Sequence, residues 1–248
     1  MSATSDELGT PSRVEQWVSE RYRRLPSDAA QVSELRGVLD VEGVAELPGF
    51  LTPDAHALLR EQILALESSA TRSDAAGNRK FAIKGDQLSG TVVGELAQST
   101  FLLDLVNGLL GPGEGRPRLV DPPIKREEIK AGINVMRDPG DVTAYHFDGS
   151  YLNLIFPVII PKISGPRRGQ LVIYPNVRSF KRTPWTTKVV PALARVPQLR
   201  RLWKKREIDY QEDTVYAFYG YRSLHGVESP SEAALRCITN MTVGQPRF

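Results

Sequence analysis

The sequence predicts a mainly β fold with α-helix, namely a sandwich, barrel or jelly roll carrying a helical N-terminal layer. Three observations predict it. From about Lys125 onward, short β-rich runs broken by Gly and Pro fall at roughly 128–136, 142–147, 151–160, 170–174, 213–219 and 234–243. Many short strands at this spacing build antiparallel layers, and no alternation of strand and helix marks a parallel sheet. The chain before Lys125 is helical in pattern with one strand. At 248 residues and 41% hydrophobic content it suffices for one domain, with 1–124 as the helical layer and 125–248 as the β core.

The N-terminal run "MSATSDELGTPSRVEQW" is polar and acidic, unlike a signal peptide, and no run approaches the ~18 apolar residues of a membrane span. A single cysteine, Cys237, excludes an intrachain disulfide and a thiolate metal site, in keeping with a reducing cytoplasm. In "LTPDAHALLREQILAL", Thr52 is a natural N-cap and Pro53 a first helical residue, and Ala55, Leu58, Leu59, Ile63 and Leu66 form one apolar face. His56 falls off that stripe and is set aside as a surface residue. A second helix, "STFLLDLVNGLLG", faces Phe101, Leu102, Leu105, Val106 and Leu109 inward and closes at Gly111. The polar, aperiodic stretch 67–90 between them reads as a long, lid-like loop.

Nucleotide folds have no support, since neither GxGxxG after a strand nor GxxxxGK[ST] is present, and GxSxG is absent as well. With three histidines in the chain, any metal must be held by His and carboxylate. In "TAYHFDGSYLN", His146 and Asp148 are two apart and project to one side of a strand, a spacing that suits metal ligands and also a polar turn. His225, in "YAFYGYRSLHGVESP", can supply a second imidazole from a neighbouring strand. Two imidazoles and one carboxylate form the facial set that suits Fe(II) and leaves three positions open, whereas zinc favours a closed tetrahedron. Arg236 comes eleven residues after His225, on a strand whose residues alternate, and its own strand offers no acidic partner. A guanidinium in a barrel interior needs a bidentate anion, such as a small dicarboxylate.

At this point the chain resembles the non-haem Fe(II)/2-oxoglutarate-dependent dioxygenases, in particular their phytanoyl-CoA hydroxylase-like branch. The resemblance covers most of the chain: "VEGVAELPGFLTPDAHALLREQILAL", "MRDPGDVTAYHFDGSYLNL", "GQLVIYPNVRSF" and "EDTVYAFYGYRSLHGVESPSEAALRCITNMTV" resemble the family's segments in order. It implies a jelly roll of the double-stranded β-helix type, with His146, Asp148 and His225 as iron ligands and Arg236 on the distal carboxylate of 2-oxoglutarate. Asn134, twelve residues before His146, is similar to a polar residue that relatives use for the same cosubstrate. The chain departs from some relatives at Val227, where they carry a hydroxyl residue, and in "RCI", where others read Arg-x-Ser. Related halogenases have Gly or Ala in place of the aspartate, so Asp148 speaks for oxygen chemistry. The implied cofactors are Fe(II), 2-oxoglutarate and O2, and the implied reaction is oxidation, by default hydroxylation, of a small-molecule substrate in specialised metabolism.

Two other classes share parts of this pattern. A zinc or nickel cupin hydrolase or isomerase would use the three ligands without Arg236, and a non-catalytic jelly-roll module would bind an acidic partner. The second rests on a basic excess that the net charge of +3 hides: Tyr151 to Arg206 contains thirteen Lys and Arg and no Asp or Glu. The stretch 176–206, with "RSFKR" and "QLRRLWKKR", reads as a basic insert. It is either a solvated face or a steering patch for an anionic substrate, an acidic carrier protein or a membrane surface. Aromatic residues are too sparse among its cations to favour nucleic acid.

Overall fold

The computed structural model describes residues 12–74, 78–112, 119, 122–162, 169–180, 183 and 185–245. Residues 1–11, parts of the stretches 67–90 and 176–206, and the last three positions lie outside the described residues. Helices α1 (Arg13–Trp17), α2 (Glu20–Arg23) and α3 (Ala29–Val41) lead into strand β1 (Val44–Pro48) and helix α4 (Pro53–Leu66). Strands β2 (Thr71–Ser73) and β3 (Lys80–Ile83) and helices α5 (Val92–Ala97) and α6 (Thr100–Leu110) complete the N-terminal part. The β core comprises β4 (Ile129–Met136), β5 (Thr143–His146), β6 (Leu152–Ile159), β7 (Leu171–Tyr174), β8 (Arg206–Ile208), β9 (Thr214–Phe218), β10 (Leu224–Val227) and β11 (Arg236–Val243). Helices α7 (Val190–Ala194) and α8 (Pro197–Arg200) lie between β7 and β8.

These strands form two antiparallel sheets, one ordered β1-β9-β6-β11-β4-β3-β2 and one ordered β5-β10-β7-β8. From β4 onward the chain passes back and forth between them, except from β7 to β8, which pair in the small sheet, and this is the double-stranded β-helix. Alternation along β11 shows how the sequence builds the layers: Cys237, Met241 and Val243 pack with the helices, and Ile238 packs between the sheets. Strand β6 is buried along its whole length, since one face meets the helices and the other the small sheet. Its near-continuous apolar run is the sequence trace of that position.

Helix α4 follows the sequence reading closely. The Thr52 hydroxyl accepts from the Ala55 amide at 3.3 Å, and Ala55, Leu59 and Ile63 are buried. Helix α6 buries all five expected residues and ends at Gly111. His56 is half-buried, not exposed, and lies on α4, outside the two sheets.

The stretch 67–90 corrects the expectation of an aperiodic loop. It contains the β2–β3 hairpin, which extends the large sheet through β3 on β4, with Ala82 opposite Asn134. Three- and four-residue strands are too short to show a period. Arg79 also bridges to Val142, and the Ala144 amide donates to Asn78 Oδ1 at 3.0 Å, so the hairpin leans on the strand that carries His146. Within the stretch 176–206, α7 and α8 cover the outer face of the small sheet, Ala194 packing with Val172, Tyr174 and Leu224. No helix among the described residues is long and apolar enough to cross a membrane.

Phe156 on β6 ties the helical layer to the β core, stacking edge-on against Phe50 at 6.0 Å between ring centroids. Phe156→Ala is expected to destabilise the protein by about 3–5 kcal/mol through lost burial and the cavity left behind. Equilibrium urea unfolding measures it, and a loss below 1 kcal/mol would show that the two layers do not depend on this contact.

Candidate metal centre

Antiparallel pairing of β5 with β10 sets His146 opposite His225. Side chains directly opposite on one sheet face are neighbours, and the two imidazole rings stand 4.4 Å apart between centroids. Asp148 follows two residues past His146, where the chain has left the strand. Its amide donates to the Gly220 carbonyl at 3.1 Å, which turns the carboxylate back over the sheet. Asp148 Oδ1 then lies 3.1 Å from His146 Nε2 and Oδ2 lies 3.1 Å from His225 Nε2. One ligand atom from each residue falls within 4.8 Å of the others, the only such cluster of His, Cys, Asp and Glu among the described residues.

The tautomers follow from the outer hydrogen bonds. His146 Nδ1 is 2.7 Å from the Ala144 carbonyl and His225 Nδ1 is 3.1 Å from the Ser223 carbonyl. A carbonyl only accepts, so both Nδ1 atoms carry hydrogen and both Nε2 atoms of the neutral rings present lone pairs. Those lone pairs face a carboxylate. Such an arrangement requires positive charge at its centre, either protons on the rings or one cation. Burial, the largest influence, pushes the Asp148 carboxyl up, but the His225 charge and hydrogen bonds from both imidazoles outweigh it and hold the carboxyl well below its usual range. Burial also acts to lower His146, and Asp148 together with the Ala144 carbonyl raises the ring above its ordinary value.

Four residues outside the sequence reading complete the surroundings. Asn153 on β6 donates from Nδ2 to Asp148 Oδ2 and accepts from Ser150 Oγ at 2.6 Å. Both belong to the run "DGSYLN", where polar residues enter an apolar strand, and a buried amide of that kind signals a partner nearby. Gly220 is required by close approach: a Cβ there would stand 2.8 Å from both Ser150 Oγ and Asn153 Oδ1. Lys80, on β3, is lowered from its ordinary value by burial against the opposing pull of Asp148, and its charge acts on His146. Nothing in its local sequence distinguishes Lys80 from a surface lysine, because the hairpin that carries it was not legible.

Arg236 opens β11 opposite Met136 and is 1% exposed. Its Nη1 donates to Met136 Sδ at 3.2 Å, its guanidinium lies 5.0 Å from the Tyr210 ring centroid, and its Nη2 has no partner. Met136, Tyr210, Tyr216, Phe218 and Ile238 form one apolar cluster between the sheets. Phe218 at the other end of that cluster meets the His225 ring at 4.8 Å. The guanidinium also lines a cavity of about 640 Å³ with Ile160, Lys162, Gln170 and Tyr210. Asn134 precedes Met136 by two residues on the same face of β4. It lines a separate cavity of about 800 Å³ and donates to Asn240 Oδ1 at 3.4 Å.

No protein-family model and no curated protein sequence matches the chain. Solved structures do. A prolyl hydroxylase from Trichoplax adhaerens, in complex with a hypoxia-inducible-factor oxygen degradation domain peptide, superposes with a TM-score of 0.64 at 16% identity, over 93% of this chain and 96% of that one. The non-haem α-ketoglutarate-dependent epimerase SnoN of nogalamycin biosynthesis gives 0.63 at 15% identity, over 88% and 82%. SnoN is also known in complex with Fe3+, α-ketoglutarate and nogalamycin RO. The α-ketoglutarate-dependent carbocyclase SnoK of the same biosynthesis gives 0.60 at 14% identity, over 94% and 86%. At these identities the likeness is one of fold: the chain has the double-stranded β-helix of the Fe(II)/2-oxoglutarate-dependent oxygenases, with N-terminal helices.

Two outcomes test the centre. Gly220→Ala displaces Asn153 from Asp148, so isothermal titration should show divalent-metal affinity reduced about 10–100-fold, and an unchanged affinity would remove Asn153 from the centre. The second concerns pH. The raised His146 value stabilises the metal-free fold fully below the ordinary imidazole pKa of about 6.5, and this contribution is lost as pH rises through the raised value. The depressed Asp148 value contributes above about pH 3.9 and is lost as pH falls through it. Between the two the His146 ring is protonated and its proton competes with metal, so the rise in Tm on adding Mn(II) should grow from about pH 6 to about pH 8. A gain that is flat with pH would place the ion away from the histidines.

Proposed function

We propose that this protein is an Fe(II)/2-oxoglutarate-dependent dioxygenase of the phytanoyl-CoA hydroxylase-like branch that hydroxylates a small-molecule substrate. The observation that carries the reading is the pair of Nε2 lone pairs aimed at the two oxygens of Asp148, a donor set that a divalent cation completes. Two imidazoles and a carboxylate are the ligand types of the facial Fe(II) site. The buried guanidinium of Arg236, with one nitrogen unpartnered, fits the distal carboxylate of 2-oxoglutarate. A zinc or nickel hydrolase would use the same three ligands and leave this buried charge without a purpose. SnoN and SnoK, both of nogalamycin biosynthesis, support a small-molecule substrate.

In this reading His146, Asp148 and His225 hold the iron, and Arg236 holds the cosubstrate. Asn134 is on the same face of β4 as Met136, the cross-strand partner of Arg236, and is the neighbouring side chain that would add a polar contact. Together with O2, the bound iron and 2-oxoglutarate supply oxidation of a C–H bond, giving hydroxylated substrate, succinate and CO2. The protein aims and insulates that chemistry. The Ala144 and Ser223 carbonyls fix the ring tautomers, and Asn153 fixes the carboxylate. Phe218, Tyr216 and Ile238 form a dry wall beside His225.

Air-free titration of 2-oxoglutarate, followed by the absorbance of the Fe(II) complex, tests the assignment. Arg236→Lys keeps the charge and loses the planar fork, so its affinity should fall. Arg236→Leu should fall further, by about 10- to 150-fold, the equivalent of a charge-assisted hydrogen bond worth roughly 1.5–3 kcal/mol. Equal affinities in all three proteins would remove Arg236 from the site, and no binding to the wild type would overturn the dioxygenase reading. Alanine at His146, Asp148 or His225 should abolish succinate formation and lower bound iron while a cooperative melting transition is retained; wild-type iron content in His146→Ala would contradict the ligand set.

A further inference from the structure

The segment between β7 and β8 has a surface that its packing does not explain. Its inner side is already satisfied: Val190 and Ala194 are buried, Trp203 meets the Tyr174 ring edge-on at 6.3 Å, and the Arg200 guanidinium lies 4.2 Å from the Tyr145 ring centroid. Yet Trp185, Val189, Val196 and Leu202 are 59%, 36%, 41% and 78% exposed. These are four of the seven exposed large apolar side chains among the described residues, within one stretch, Trp185 to Leu202. Scattered single apolar residues need no explanation, but a concentration of this kind marks an interaction surface.

Charge narrows the partner. Lys204, Lys205 and Arg206 are matched by Glu42, Glu207 and Glu46 at the end of the segment. Lys188, Arg195 and Arg201, interspersed with the four apolar residues, are exposed and have no ion pair among the described residues. No acidic residue occurs anywhere from Tyr151 to Arg206. The surface is therefore apolar and cationic at once, carried by the helical turn Trp185–Val189 that precedes α7 and by the residues at the ends of α7 and α8, elements too short to span a bilayer.

We propose that this segment docks the protein on an anionic lipid surface, with Trp185, Val189, Val196 and Leu202 entering the headgroup and acyl boundary and Lys188, Arg195 and Arg201 pairing with lipid phosphates. Protruding Trp, Val and Leu side chains flanked by cations are the composition of interfacial membrane helices. A folded acidic protein would instead need pockets shaped to each protruding side chain. The docked segment covers the outer face of the small sheet, where it packs on Tyr145, and the adjacent His146 faces the other side of the same strand, so seating on lipid holds the sheet that carries the candidate metal centre against the membrane. The proposal is independent of the dioxygenase reading and is tested without turnover.

Sedimentation with vesicles of phosphatidylcholine alone, or of phosphatidylcholine with phosphatidylglycerol, measures the docking. The protein should sediment with the anionic vesicles and not with the neutral ones, and salt should release it. Trp185 fluorescence should shift to the blue on binding, a shift lost in Trp185→Phe, which keeps buried Trp17 and Trp203, packed on Tyr174. Neutralising Lys188, Arg195 and Arg201 together with Gln should weaken binding about 100-fold, roughly fivefold for each cation. Leu202→Ser should weaken it as well and leave Mn(II) binding and Tm unchanged. Equal sedimentation with both vesicle types, no sedimentation with either, or wild-type binding by the triple variant each overturns the proposal. Retention on immobilised polyglutamate without vesicle binding would assign the surface to an acidic protein instead.

Discussion

The cross-strand register that sets His146 opposite His225 is the constraint on which the rest of the site depends. Side chains alternate along a strand, so a slip of one residue in β5 or β10 would send one imidazole to the outer face of the small sheet. Asp148 has no strand of its own to fix it. It is held by the Gly220 carbonyl through its amide and by Asn153 through its carboxylate, and both come from the large sheet or the loop that leaves it. The two sheets are thus joined at the carboxylate, and the spacing of the three ligands reports how the sheets pack.

Unbalanced charge in the interior follows from the same geometry. Three lone-pair groups converge at one point, while Arg236 stands in an apolar cluster with an unpartnered nitrogen. Burial without a partner is unfavourable for each. They do not neutralise one another, since Arg236 bonds Met136 and lies against the Tyr210 ring rather than pairing with Asp148. A fold that keeps an anionic centre and a cationic one apart, each beside the apolar cluster of Phe218, Tyr216 and Tyr210, leaves the first open to a metal cation and the second to an anion. Departures of this kind from full internal satisfaction concentrate at functional sites.

Much of the architecture was legible because the elements concerned are amphipathic and long. Helix α4 carries its cap and its apolar stripe in a single window, and β11 displays its alternation over eight residues. The hairpin β2–β3 and the strand β8 were not legible, since three or four residues show no period and their stability comes from neighbours on the sheet. Lys80 went unnoticed for that reason. Asn153 escaped attention because β6, buried on both faces, has no polar side against which a functional residue stands out.

By itself the sequence determined which residue types could form a metal site, since three histidines and one cysteine leave few combinations, and it determined the alternation that points Arg236 inward. Local periodicity and composition suffice for such statements. Only the tertiary structure decided that the two imidazoles face one carboxylate, that Asn153 and Gly220 orient it, and that Asn134 bonds Asn240 in a separate cavity. It also separated the basic segment into cations matched by Glu42, Glu46 and Glu207 and cations left among exposed apolar side chains. These contacts join residues far apart in the chain, and their geometry is set by sheet register and layer packing, which no local pattern encodes.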